Sequence, residues 1–87
     1  MARSLDSQDS QRYRDKIALM IKFGKNLRRL RSERGLTQNE LADRMGVRPA
    51  SICAMECGQA NATLSTVSRL AAALDVDASE FLREVGA

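Results

Sequence analysis

Between Gly35 and Gly58 the sequence marks the starts and stops of two short helices, and few folds can use such a pair. Thr37-Gln38-Asn39-Glu40 reads as a capping box, in which the Thr37 hydroxyl accepts from the Glu40 amide and the Glu40 carboxylate reaches back. Leu41, Ala42 and Met45 then supply an apolar face, and Gly46 stops the helix. Pro49 suits a first helical position, because its missing N–H has no intrahelical partner there. Arg48, preceding proline, is pushed toward extended backbone as an N-cap requires, although its side chain carries no acceptor oxygen. A second short helix is predicted from Pro49 to Cys57, with Ile52 and Met55 inward and Gly58 at its end. Helices over 38–45 and 49–57, joined by a glycine-bearing turn, form a helix-turn-helix pattern. In that arrangement the first helix crosses the phosphate backbone and the second enters the major groove of a duplex.

The flanking sequence is helical too. Tyr13, Ile17, Met20, Gly24, Leu27 and Leu30 fall on one helical face, which predicts a helix from Tyr13 to Gly35. Gly24 within it either weakens the helix or admits a close-packed neighbour. Residues 1–12, rich in Ser, Asp and Gln at their start, are expected to form a flexible tail, with the folded domain spanning 13–87, although the sequence leaves open that residues 1–16 extend the first helix. Thr63 is a plausible N-cap for a helix with the stripe Leu64, Val67, Leu70, Ala71 and Leu74. Asp77-Ala78-Ser79-Glu80 reads as a second capping box, opening a last helix with Phe81, Leu82 and Val85. The expected fold is all-α, with five helices and no sheet.

Composition narrows the function classes. The 87 residues are 44% hydrophobic and 29% charged, which suits a single globular domain. Histidine is absent, so His-based catalytic triads and His-ligated metal sites lose their usual base or ligand. Two cysteines cannot build a disulfide framework or a four-ligand zinc site. With no paired carboxylates and no phosphate-cradling glycine loop, the expectation is a non-enzyme with no cofactor and no metal. No apolar run approaches the roughly 20 residues that span a bilayer, and no secretory signal is evident, so a cytoplasmic location is expected. Residues 12–48 hold eleven basic residues against four acidic ones, whereas residues 49–87 are net acidic. Such asymmetry suits either a polyanion partner or a solvated basic face.

The run Leu30-Arg31, Gly35-Leu36-Thr37-Gln38-Asn39-Glu40-Leu41-Ala42, Met45-Gly46-Val47, Ile52, Met55-Glu56-Cys57-Gly58, Thr63 to Val67, Leu70-Ala71 and Leu74-Asp75-Val76 closely resembles the Cro and phage-repressor (XRE) helix-turn-helix family. The resemblance covers roughly residues 23–83. It implies a five-helix, lambda-repressor-like domain that binds a palindromic DNA operator as a homodimer and regulates transcription, most simply as a repressor or autoregulator. It places Gln38 where relatives contact backbone phosphate, and Arg31 and Glu56 where relatives form an ion pair. Arg48, Pro49, Ala50, Ser51 and Ala54 match the positions that face base edges, and Asn61 lies in the loop beside the expected phosphate path. Phe81, Leu82 and Val85 form an apolar patch, part of which must close the core and the rest of which matches a region that commonly forms the dimer interface; Asp75 stands where relatives often have glycine.

Several positions depart from the family pattern. Bidentate base readout needs Asn, Gln, Arg or Lys, and Pro49, Ala50 and Ala54 offer only van der Waals contact. Arg48, toward guanine or a phosphate, and Ser51 are then the polar readers, and operator shape or a partner protein carries more of the specificity. Cys53 and Cys57, four apart, share a helical face. They are either small residues that fit or a thiol switch or metal site beside DNA, the thiols sensitized if neighbouring arginines lower a thiol pKa. A second functional class is a partner-binding module, such as an antitoxin holding a toxin, with residues 1–16 as its arm. The segment Ala60-Asn61-Ala62-Thr63-Leu64 has a faint likeness to HipB-type antitoxins.

Overall fold

The computed structural model describes residues 7–85, the side chains of residues 7 and 8 excepted. Four α-helices follow one another: α1 (Ser7–Glu33), α2 (Gln38–Met45), α3 (Pro49–Glu56) and α4 (Leu64–Leu74), closed by a 3-10 helix over Ala78–Leu82. No strand occurs among the described residues.

Two expectations are corrected. The fifth element is a five-residue 3-10 helix, not an α-helix. The second capping box does not close, because the Asp77 carboxylate accepts from the Ser79 amide and hydroxyl instead. The Glu80 amide bonds the Asp77 carbonyl, an i to i+3 contact, and the Glu80 carboxylate turns to Arg29 and Arg83. Beyond it, the buried Asn26 amide donates to the carbonyls of Phe81 (3.0 Å) and Arg83 (2.7 Å). This draws the chain back along α1 instead of letting it wind on. The second correction concerns residues 7–12, expected in the flexible tail but helical here. Asp9 favours the positive end of the helix, Arg12 pairs with Asp9 at 3.7 Å, and Gln11 donates to Asp15 at 2.9 Å. The rest of the expected tail, residues 1–6, lies outside the described residues.

At 27 residues, α1 is about 40 Å long and outruns the core. Its apolar stripe is buried only from Phe23 onward, and Tyr13 at its start is 67% exposed. Phe23, Leu27 and Leu30 meet Leu41, Ala42 and Met45 of α2, Ile52 and Met55 of α3, Leu70 and Leu74 of α4, and Phe81. The Phe23 and Phe81 rings lie 5.3 Å apart and tilted, an arrangement adding about 1 kcal/mol to their burial. Gly24 marks where α1 presses on α3: a Cβ there would lie 2.4 Å from the Met55 carbonyl oxygen and 2.7 Å from that of Glu56.

Arginines satisfy the carbonyls that helix ends leave open. Arg34 donates to Leu74 (2.7 Å) and Asp75 (2.8 Å), Arg44 to Ala73 (3.4 Å), and Arg69 to Met45. Lys22 pairs with Glu84 at 2.6 Å, a further tie between α1 and the C-terminal segment.

Candidate nucleic-acid interface

The turn between α2 and α3 is set by Gly46, which takes φ 66° and ψ 32°, a left-handed conformation that costs glycine nothing sterically. The Val47 amide then closes on the Ala42 carbonyl at 3.0 Å, and the half-buried Val47 side chain packs on the core. Arg48 is extended (φ −78°, ψ 145°) and makes no side-chain cap, as its chemistry requires. At the other end of the pair the Thr37 box does close, with both Thr37–Glu40 contacts formed at 2.9 and 3.0 Å. Hydrogen bonds from Thr37 hold the Glu40 carboxyl below its usual pKa.

Helix α3 is anchored by Ile52 and Met55 and turns Pro49, Ala50, Ser51 and Cys53 to solvent, with Ala54 half-buried. These exposed residues, with Arg48, form an outward face that is nearly free of charge. Its brace is the cluster that the family resemblance implied. Arg31 reaches Glu56 through Nε (2.5 Å) and Nη2 (3.0 Å), and its Nη1 donates to the Leu36 carbonyl at 2.7 Å. Burial pushes the Glu56 carboxyl up, but hydrogen bonds from Arg31 and Gln38 outweigh it, and its pKa settles below the usual range. The Glu56 hydrogen bond in turn raises the Arg31 pKa against the opposing effect of burial.

Gln38 was expected at a phosphate. Its Nε2 donates to Glu56 Oε1 at 3.0 Å, which leaves that nitrogen one further N–H and fixes the side chain at the α2 N-terminus. The first amides of α2 have no intrahelical carbonyl to bond, so this end carries the positive pole of the helix. The basic footprint is smaller than the sequence count implies. Arg29, Arg31, Arg34, Arg44 and Arg69 all bind groups of this chain, so Arg44 is engaged structurally. Lys25, Arg28 and Arg48 stay exposed, and the charge of Arg28 is felt at Glu56 and Cys57, beside the end of α3. Lys25 was not singled out in the sequence; its place one residue after the Gly24 contact is the only signal for it.

Asn61 is exposed in the loop between α3 and α4. Of the three expected dimer residues, Phe81 is corrected: it is fully buried against Phe23 and presents no surface. Leu82 (54% exposed) and Val85 (41%) remain outside. Sequence reasoning assigned Leu64 to the inner stripe of α4, yet it is 87% exposed. Leu64 and Leu82 border a groove of about 220 Å³, walled also by Leu19, Met20, Phe23 and Val67. Cys53 and Cys57 are both free and exposed; the Cys53 thiol pushes the Cys57 thiol up, and the lowering effect of Arg28, the kind the sequence anticipated, is outweighed.

Residues 27–81 match the family model described as helix-turn-helix, HTH_3. An uncharacterized HTH-type transcriptional regulator, y4dJ, of Sinorhizobium fredii is 41% identical over 59 residues, which cover 68% of this chain and 77% of that protein. The restriction-modification controller protein C.AhdI from Aeromonas hydrophila superposes with a TM-score of 0.70 at 39% identity, over 74% of this chain and 97% of that one. A hypothetical transcription factor, NHTF, from Neisseria superposes at 0.73 with 30% identity, over 98% of this chain and 87% of that one.

Proposed function

This chain belongs to the HTH_3 helix-turn-helix family of DNA-binding transcriptional regulators, and from that premise we propose that it is a homodimeric repressor of a palindromic operator, its own promoter included. The observation that carries the proposal is the exposed face of α3, held at a fixed angle by Arg31, Glu56 and Gln38. In this reading α3 enters the major groove. Arg48 supplies the one charged contact on that helix's leading end, to guanine or to a neighbouring phosphate, and Ser51 a hydrogen bond. Pro49, Ala50 and Ala54 pack on thymine methyls. Gln38 and the first amides of α2 hold a phosphate, Asn61 approaches the backbone from the following loop, and Lys25 and Arg28 add charge.

The two-fold contact is assigned to the apolar surface around Leu82, Val85 and Leu64. Exposed leucines beside an apolar groove on one face make that face self-complementary, as an isologous interface requires. Two such domains would place their α3 helices on half-sites about one helical turn apart.

The test is binding of the purified chain to fragments of its own upstream DNA, wild type beside Arg48→Ala. Saturable binding to one fragment, weakened about tenfold or more by the substitution, is expected. Equal, weak binding to every fragment would overturn operator recognition and turn attention to a protein partner, such as a toxin.

A further inference from the structure

The outward side of α3 carries two thiols and almost no polar readers, and this pairing has a chemistry of its own. Cys53 lies within α3 and Cys57 is its C-cap, one turn further on (φ −84°, ψ 0°), with the Cys57 amide on the Cys53 carbonyl at 3.0 Å. Side chains four apart on a helix stand with their Cβ atoms about 5–6 Å apart. A disulfide demands about 3.5–4.5 Å, so direct oxidation of the pair requires α3 to unwind. A single soft atom bridging the two sulfurs, with bonds near the roughly 2.3 Å of a metal–thiolate, spans the distance with the helix intact. Both cysteines are free and exposed, and their spacing puts them on one side of the helix.

The donor set defines what can bridge them. No histidine exists in the chain, and no group of three His, Cys, Asp or Glu side chains gathers among the described residues. Zinc in a closed protein site takes four ligands and finds only two here. A centre that is satisfied by two thiolates, and brings its own third substituent, fits. We infer that Cys53 and Cys57 form a chelating dithiol for trivalent arsenicals on the DNA-facing side of α3, and that the adduct releases the protein from DNA. The step is a condensation: two S–H and two As–O bonds break, two S–As bonds form, and two waters leave the hydrated arsenical. Arsenic remains trivalent, so neither oxidant nor reductant is consumed. The chelate rests on geometry alone, whereas the release rests on the DNA-reading role of α3 proposed above.

Phenylarsine oxide is the probe, added to the reduced 87-residue chain. Mass spectrometry and free-thiol titration should show one arsenical per chain with both thiols consumed, reversed by a small dithiol. Cys53→Ser and Cys57→Ser should each lose the stable adduct. Operator binding by the wild type should weaken at least tenfold on addition of the probe and recover with the dithiol. The double serine variant, whatever its own affinity, should bind equally with and without the probe. Prior DNA binding should slow adduct formation. Two independent single-thiol reactions, or no stable adduct, would overturn the chelate. An adduct that leaves operator affinity unchanged would overturn the release. If the untreated protein binds no DNA fragment, the reading of α3 fails instead, and the thiol titration still decides the chelate.

Discussion

At Glu56 a carboxylate whose side chain is only 4% exposed is kept ionized by three hydrogen bonds, two from Arg31 and one from Gln38. Removing its charge strands Arg31, itself 13% exposed, against the core. Glu56→Gln should therefore cost about 2–3 kcal/mol in urea denaturation at neutral pH. The same pair makes stability depend on pH. The native Glu56 pKa lies below its unfolded value, so its contribution is complete above the unfolded pKa of roughly 4.3. It is lost as pH falls through the native value, and that part of the acid sensitivity should be missing in Glu56→Gln. Asp75 runs the other way. It holds a left-handed conformation (φ 54°, ψ 52°) and sets a carboxylate at the negative end of α4. Asn tolerates that conformation without the charge, so Asp75→Asn should stabilize the fold by about 0.5 kcal/mol in the same assay. The Arg34 bond survives, because it is made to the backbone carbonyl.

Elements meet closely where Gly24 of α1 lies on the end of α3. Alanine at an exposed helical site gains up to about 1 kcal/mol over glycine. Here a methyl would fall 2.4 Å from a backbone oxygen that cannot rotate away, and overpacking of that kind costs about 1–3 kcal/mol. Gly24→Ala should thus lower thermal stability despite its better propensity, and it should displace α3 and weaken DNA binding, measured beside the unfolding curve. How legible such elements were depends on the range of the force that sets them. The bounds of α2, α3 and α4 follow from Thr37, Gly46, Pro49 and Thr63, whose effects act within a few residues, and these could be read directly. The 3-10 form of the last element could not, since it depends on Asn26, 55 residues from the carbonyl of Phe81 that it holds. Phe81, Leu82 and Val85 look alike as apolar residues of a terminal segment, and only the position of Phe23 decides which turns inward. Arg31 and Glu56 were legible through family likeness, not through spacing, because nothing local links positions 25 apart.

For the whole molecule, the charge that a polyanion meets is what remains after the chain has used its own arginines. If Lys25, Arg28 and Arg48 of each protomer reach phosphates, a two-fold complex releases about six counterions. The logarithm of affinity should then fall with the logarithm of salt at a slope of about −5, measured by fluorescence anisotropy. A slope near zero would contradict the proposed mode. Leu82→Glu should leave the monomer folded and shift sedimentation toward the single chain, because Leu82 is 54% exposed. Phe81→Ala should instead cost about 3–5 kcal/mol and be seen in unfolding. The long first helix adds a mechanical consequence. Its contact with α3 at Gly24 is backbone against backbone, with no side chain to cushion it. Ser7 stands about 25 Å along the helix from that point, so a tilt of about 5° there moves Ser7 by about 2 Å while the contact itself barely shifts. In lever terms the two arms are very unequal: a coarse displacement at the far end of the helix corresponds to only a fine one at its seat on the reading helix.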